Sequence, residues 1–491
     1  MRVSEIAKRL KGRLILSNQE DDKEISGLFA DSRAVLSGGL FFCLEGGRVD
    51  GHDYASVAVK NGAVAVVVQR ELHLPVPQIV VSSTREALAK SASYFYGEPA
   101  KKLKIVAVTG TNGKTTTAHM LSSILRSAGK RVGIIGTLGA SFEEDVWEIG
   151  LTTPDPILLH ELLALMLSKG AEYVVMEASA HALYFDKLAD IPFTACIFTN
   201  LSQDHLDFFQ TMYAYKTAKL RLFAKEICPI AIVNGDDETG REIFRLRERC
   251  FAKTSLYGLT TPTDAFAVIT REGLDGTDCM LNLSDRLCRV RLSLVGRHNV
   301  YNALAAATCA VELGLDVGSV ACGLKKLVAI KGRLQRVSNY HGADVYVDFA
   351  HTPDGLEKSL DALRPHTKGR LVCLFGCGGN RDREKRPLMG EVASKKSDFS
   401  ILTSDNPRYE DPLDILSEVE RGYRRFSSRY VVVPDRARAI EYALGFLSLG
   451  DVLLIAGKGG EDTQEIMGIK YPFDDQTVVE RLSLALENDG V

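Results

Sequence analysis

The sequence has no stretch approaching the roughly 18 consecutive apolar residues of a membrane span. Its opening, MRVSEIAKRLKGRL, interleaves charges with apolar residues at helical spacing and lacks the continuous apolar core of a signal peptide. There is no CxxC. The ten cysteines are scattered, the closest pair being Cys373 and Cys377, without the paired spacing of a disulfide frame or a thiolate zinc site. They read instead as small buried apolar side chains kept reduced. Neither charge sign dominates: the net charge of −3 gives no reason to expect a nucleic-acid or anionic-membrane partner. No low-complexity tract and no repeat at solenoid period occurs. What remains is ordinary globular composition, 45% hydrophobic and 25% charged. The 491 residues suggest three domains at about 150 residues each. The expected compartment is the cytoplasm, with no membrane insertion.

Short strand-like runs alternate with helical patterns. GGLFFCLEGG (38–47) and AVAVVVQ (63–69) fall in a first segment ending near residue 99. KIVAVTG (104–110) opens a second, followed by a helical pattern over 115–129 for which Gly129 suits the C-cap. GAEYVVMEASAHA (170–182), TACIFTN (194–200) and ICPIAIVNGDD (227–237) continue it. From Gly332 onward DVYVDFAH, GRLVCLFGCGG, FSILTSDNP, RYVVVPD and GDVLLIAGKGG repeat the alternation. This pattern predicts α/β architecture with parallel sheets covered on both faces. Ligands in such sheets bind beyond the carboxyl ends of the strands. The loops at Gly110, Glu177, Asn200, His351, Gly376, Asp405 and Gly457 are therefore the places to look for chemistry.

The sharpest local signal is TGTNGKTTT (109–117), which leaves a strand and opens a helix as a phosphate loop must. Backbone N–H groups over Thr109, Gly110, Thr111, Asn112 and Gly113, and at the helix start Lys114, Thr115 and Thr116, can converge on phosphate oxygens. Lys114 supplies a point charge, and the Thr115 hydroxyl can reach Mg²⁺. Val108 stands where the common GxxxxGK[ST] loop has glycine. The loop alone fixes nucleotide binding, not the reaction.

TGTNGKTTT is the variant seen in Mur ligases and folylpolyglutamate synthases. MEASAH, TNLSQDHLD, a YxxxK element (Tyr215 to Lys219), GRHNVYNALAA, Gly332–Arg333, DFAHTPD and a GKG loop follow in order over nearly the whole chain. Together they resemble the Mur ligase family, which builds peptidoglycan precursors. The resemblance implies three domains: 1–99 for the UDP-sugar, 100–331 as a P-loop ATPase with a parallel sheet, and a Rossmann-like 332–491 for the amino acid. SDNPRYEDP (404–412) resembles the motif of members that add meso-diaminopimelate to UDP-N-acetylmuramoyl-L-alanyl-D-glutamate. The alternatives are lysine addition at the same step or a folylpolyglutamate-type ligase. A monomer is expected.

By the same resemblance, Lys114, Glu177, His205 and Lys219 are catalytic. Thr115, Glu177, His205 and a carbamylated Lys219 hold Mg²⁺, two ions in all. On its own each has a plainer reading: Glu177 as a strand terminus, His205 as a satisfied polar residue, Lys219 as a solvated helix charge, with Lys216 the competing lysine. Asp204 and Asp207 are left as supporting or structural. Asn302, Arg333 and Asp348 are implied ATP contacts, His351 a weaker one. The His298, Asn299 and Asn302 cluster equally suits a helix cap. Ala30, Ser32, Gly47, Arg48 and Val49 match uridine positions, and Thr152, Thr153, Ser179 and Lys187 the central part of the substrate. Phe185 and Lys187 stand where the family often has Gln and Arg. In the basic run GGNRDREKRP (378–387), otherwise a solvated charge run, Arg381 is an implied carboxylate contact. Asp405, Asn406, Pro407, Arg408, Gly457 and Glu461 complete the amino-acid set, since guanidinium forks grip carboxylates bidentately. Gly460 replaces the family's more usual His.

Overall fold

The computed structural model describes residues 1–16, 22–47, 49–224, 227–246 and 253–489, the last three by backbone alone. The chain packs as two compact units. One gathers Met1–Ala107, Arg131–Thr194 and a short stretch ending at Cys228; the other gathers Val108–Lys130, Ala195–Lys225 and Pro229–Val491.

The first unit begins with a sheet in the order Arg13–Ile15, Gln78–Val80, Ala63–Val68, Gly39–Phe42, Gly27–Phe29. The first pair is antiparallel and the rest parallel. Leu40, Phe42, Ala65, Val67 and Ile79 form one core with Val3, Ile6, Leu88 and Ala92 of helices Val3–Leu10 and Thr84–Phe95. Phe41, Cys43, Val66 and Val68 form a second core. This unit also holds Lys104–Ala107 of strand Lys104–Thr109, followed in the sheet by Tyr173–Glu177, Val132–Gly136, Gly139–Phe142 and Asp145–Trp147.

In the second unit the strands Arg286–Leu292, Gly276–Leu283, Ala265–Gly273, Lys253–Gly258, Ile230–Asn234 and Phe193–Phe198 lead to the end of Lys104–Thr109. Strand Lys104–Thr109 is buried along Ile105, Val106, Ala107 and Val108, as a central parallel strand must be. Helix Lys114–Ser127 follows it, and Gly129, at φ +75°, comes one residue after the C-cap Ala128. The alanine-rich helix Arg297–Glu312 is buried over Ala303–Ala307. A further six-stranded sheet runs Gln335–Tyr340, Ala343–Asp348, Val452–Ala456, Leu371–Phe375, Phe399–Leu402, Tyr430–Val432, with only the first pair antiparallel. It carries a core on each face.

The sheets are more mixed than the strand–helix alternation predicts. Residues 265–292 form an antiparallel meander, and Gly139–Phe142 turns back on Val132–Gly136. In Gly276–Leu283, buried Thr277, Cys279, Leu281 and Leu283 alternate with half-buried residues, the mark of a sheet with one wet face. Such segments lack the continuous apolar runs that betray a buried parallel strand. The cysteines depart in one place: eight of the nine described are buried, but Cys322 is exposed. Cys250 lies outside the described residues. Among the described residues no helix is long and apolar enough to cross a membrane.

Candidate active site

The phosphate loop lies in the second unit. Gly110, at φ +145°, brings its α-carbon against Thr199, and Gly113, at φ +85°, against the Asn302 side chain; a Cβ at either would collide. The loop is laced to the segment after strand Phe193–Phe198. Thr111 N–H donates to the Asn200 carbonyl (2.8 Å), Asn112 N–H to Asn200 Oδ1 (3.0 Å), and Thr199 Oγ1 to the Asn112 carbonyl (2.7 Å). Lys114 Nζ arches back over the loop to the carbonyls of Gly110 (3.0 Å) and Thr111 (2.8 Å). Thr109 and Thr116 are buried. Thr115 Oγ1 accepts from Arg333 Nη2 at 2.8 Å, and that guanidinium stacks on Phe349.

Lys219 is 1% exposed, on helix Met212–Leu220. Its Nζ donates to the Gly110 carbonyl at 2.7 Å and lies 4.4 Å from the centre of the Tyr215 ring. Burial, reinforced by the charge of Lys114 and opposed by Asp204, drives its pKa well below the ordinary lysine value. Lys216, the competing lysine, is instead paired with Glu242 at 2.7 Å.

His205 has a left-handed backbone, φ +58°. Asp204 Oδ1 steadies it by accepting its N–H at 2.9 Å. The Asp204 carboxylate is buried among three cationic or potentially cationic groups: His205 Nε2 at 3.4 Å, His351 Nε2 at 3.6 Å and Lys385 Nζ at 3.6 Å. Burial acts to raise its pKa, but His351 and Lys385 outweigh that and hold it well below the usual range. Asp204 is thus a hub, beyond the supporting part sequence reasoning left it.

Asn302 is buried, donates to Asn299 Oδ1 (3.1 Å) and accepts from Thr117 Oγ1 (3.4 Å). Asp348 has both oxygens occupied: Leu334 N–H at 2.6 Å on one, Ala350 N–H at 3.0 Å and Ser359 Oγ at 2.8 Å on the other. In this state its carboxylate holds the turn after its strand.

The amino-acid motifs converge at the carboxyl ends of the six-stranded sheet. Gly379 N–H donates to the Asn406 carbonyl (2.9 Å), and the Pro407 carbonyl accepts from Glu410 N–H (3.1 Å). Asn406 Nδ2 donates to Glu461 (2.9 Å), and the buried Lys458 donates to Glu461 (3.0 Å) and to the Thr463 carbonyl (2.6 Å). Gly457, at φ +115°, faces the Asp405 carboxylate. Arg408 is held by Glu465 (3.1 Å) and the Gly379 carbonyl (2.9 Å), while its Nη2 makes no hydrogen bond among the described residues. Arg381 is exposed and its guanidinium has no partner among the described residues. Both arginines flank Gly378: an ideal Cβ there would lie 2.9 Å from Arg408 Nη1 and 3.6 Å from Arg381 Cγ.

In the first unit, Glu177 ends strand Tyr173–Glu177 and is 1% exposed, so it is no ordinary strand terminus. Thr137 N–H (2.8 Å) and Thr137 Oγ1 (3.1 Å) donate to its two oxygens. Thr152 Oγ1 lies 3.2 Å from Thr137 Oγ1. Thr153 Oγ1 donates to the Glu177 carbonyl (2.8 Å) and accepts from Ser179 N–H (3.1 Å). Ser32 is buried, whereas Ala30, Gly47 and Val49 are exposed. Arg48 lies outside the described residues.

Family models match almost end to end: "Mur ligase family, catalytic domain" over residues 24–96, "Mur ligase middle domain" over 108–310, and "Mur ligase, glutamate ligase domain" over 332–459. The chain belongs to the Mur ligase family. It is similar to a UDP-N-acetylmuramoyl-L-alanyl-D-glutamate–2,6-diaminopimelate ligase of Syntrophomonas wolfei, 42% identical over 98% of this chain and 99% of that one. A Bacillus licheniformis ligase of the same name is 38% identical over 95% and 96%. A solved structure of a ligase of that name aligns with a TM-score of 0.69 at 32% identity, covering 96% of this chain and 97% of the other. Mur ligases are ATP-dependent, ADP-forming enzymes, and so is this one.

Two of the departures from Mur ligase habit, Phe185 and Lys187, have local partners. Phe185 lies under the Arg85 guanidinium, 4.3 Å from its ring centre, and Lys187 pairs with Asp155 at 2.7 Å. Sequence reasoning missed Thr137, Lys385 and Lys458. Thr137 directly follows Gly136, whose α-carbon faces the Glu177 carboxylate, and a glycine ending a buried strand was the available signal. The basic run is solvated only in part: Arg381 and Arg383 are exposed, but Arg386 is 0% exposed and pairs with Glu410 and Glu418 at 2.9 Å each.

Proposed function

We propose that this ligase adds meso-2,6-diaminopimelate to the D-glutamate γ-carboxylate of UDP-N-acetylmuramoyl-L-alanyl-D-glutamate, in peptidoglycan precursor synthesis in the cytoplasm. The observation that carries the amino-acid assignment is the pair of arginines flanking Gly378, each with unused guanidinium donors, beside the acidic Asp405 and Glu461. Diaminopimelate has a distal end bearing both an ammonium and a carboxylate. Lysine lacks that carboxylate and would leave one guanidinium unanswered.

A γ-carboxylate oxygen attacks the γ-phosphorus of ATP, the bond to the bridging oxygen breaks, and ADP leaves. The amine nitrogen of diaminopimelate then attacks the acyl carbon. Phosphate departs with the bonding pair, and the nitrogen releases its proton. Lys114 and the loop N–H groups hold the phosphates in line, which is most of what phosphoryl transfer asks of a protein. Arg333, now on Thr115, is placed to move onto phosphate. Asn302 braces the loop on the side assigned to adenine, and Asp348 fixes Leu334 beside Arg333.

Carbamylation of Lys219 would give the second unit an anionic oxygen ligand for Mg²⁺ to add to the Thr115 hydroxyl, where an amine offers none; His205 would supply a nitrogen. A buried lysine whose pKa is lowered supplies the neutral amine that adds CO₂. Thr115, His205 and carbamylated Lys219 would hold the metal, and the family resemblance adds Glu177 to the ligands. When bound, Mg²⁺ neutralises charge on the phosphate oxygens. The division 1–99, 100–331 and 332–491 assigns the UDP-sugar, ATP and the amino acid in turn. Ala30, Ser32, Gly47, Arg48 and Val49 take the uridine, and Thr152, Thr153, Ser179 and Lys187 the muramoyl peptide.

The test is ADP release with the UDP-dipeptide and ATP, comparing diaminopimelate, L-lysine and no amino acid. Tripeptide formed with diaminopimelate alone is the expected result. Equal use of lysine would remove the carboxylate-clamp argument.

A further inference from the structure

Lys385 has a place the ligase chemistry described above does not explain. It opens helix Lys385–Lys396 and is buried, four residues after Arg381 in the same loop. Among the described residues its one carboxylate within ion-pair distance is Asp204, across in the segment that carries His205. Taking a lysine and an aspartate out of water is costly, and a 3.6 Å separation is long for a charge-assisted hydrogen bond. A contact of that kind is weak evidence for stability. It does join two pieces with different tasks. One end is the loop that presents Arg381 to the amino acid. The other is a carboxylate that fixes the left-handed backbone of His205 by accepting its N–H. His351 Nε2 faces the second Asp204 oxygen, so Lys385 is the permanent cation of the cluster.

We propose that Lys385 is a positioning residue that couples the amino-acid loop to the phosphate-handling segment through Asp204. This rests on the ligase reading above. With Lys385 on Asp204, the Arg381 loop is seated whenever His205 is set, so the amine is presented where the acyl phosphate forms. Without it the two arrangements become independent, and the acyl phosphate waits longer exposed to water. Water then replaces the amine: its oxygen bonds to the acyl carbon, phosphate leaves with the bonding pair, and the carboxylate is regenerated with release of a proton. ATP is spent with no amide made.

The experiment uses the full chain with ATP, Mg²⁺, the UDP-dipeptide and diaminopimelate. In Lys385→Met, ADP formed per amide bond should rise about threefold or more, and kcat for amide formation should fall about tenfold with the KM for ATP little changed. Amide hydrogen exchange over 199–206 should accelerate. Lys385→Arg, which keeps the charge, should recover most of the coupling. If Lys385→Met does not fold, Asp204→Asn carries the same measurements. A parent-like ADP-to-amide ratio together with parent-like exchange in these variants would overturn the proposal. If the parent itself makes no amide from these substrates, the substrate assignment fails instead, and the exchange comparison still decides whether Lys385 orders the His205 segment.

Discussion

At the scale of single residues, burial changes what a side chain can do. Lys219 sits on the same face of its helix as Tyr215, and nothing in YKTAKLRLF distinguishes it from a surface lysine. Its identity as a site residue came from motif resemblance, and its chemistry comes from 1% exposure and from Lys114 nearby. The expected consequence is a carbamate. Protein equilibrated in ¹³C-bicarbonate should give one carbamate carbon resonance and a native mass raised by one CO₂. Both should vanish in Lys219→Ala and fade on acidification, since protonating the amine reverses the addition. An unmodified native mass at neutral pH with full activity would rule the carbamate out. Asp204 and Lys385 were illegible for a different reason. Their partners lie about 180 residues away in sequence, and a lysine in a run of basic residues carries no mark of the one carboxylate it will meet.

Elements were more legible than contacts. The apolar runs at 63–69, 104–110 and 450–460 are strands because a strand buried on both faces must be apolar throughout. The meander at 265–292 escaped because strands that alternate buried and wet residues lack a continuous apolar run. Helix Pro156–Ser168 presents another feature hidden from sequence: His160 is fully buried, with no hydrogen-bond partner for either ring nitrogen among the described residues. Burial pushes its pKa down to about 4 from the ordinary 6.5, against the pull of Asp190. A folded pKa below the unfolded one means the unfolded chain binds the extra proton. Stability is therefore complete above pH 6.5 and is lost as pH falls towards 4. Between pH 7.5 and 5 the loss attributable to this group is about 2 kcal/mol. Unfolding free energies from urea titrations at the two pH values should differ less in His160→Leu than in the parent, by that amount. Equal differences would show that His160 titrates normally.

For the molecule as a whole, the family models match 24–96, 108–310 and 332–459, while the way the chain packs cuts across those stretches. Motif order reports ancestry and loop chemistry; packing depends on which faces meet, which no motif encodes. One buried ion pair bears on the second unit's integrity. Arg436 and Asp475 are both 0% exposed and meet bidentately at 2.7 Å on each arm, with Arg436 also donating to the Ala456 carbonyl at 3.0 Å. Removing one partner strands a charge. Arg436→Leu should cost about 3–5 kcal/mol, whereas Arg436→Leu with Asp475→Leu should cost less than the sum of the single changes. Calorimetry on the three variants reads this directly, and additive losses would mean the pair is not coupled. The same pair also imposes an order of events during synthesis. Arg436, which opens helix Arg436–Phe446, leaves the ribosome 39 residues before the carboxylate that neutralises it. Until Asp475 emerges, closing that part of the sheet would bury an unanswered guanidinium, so the nascent chain is held back from premature compaction by a single missing charge.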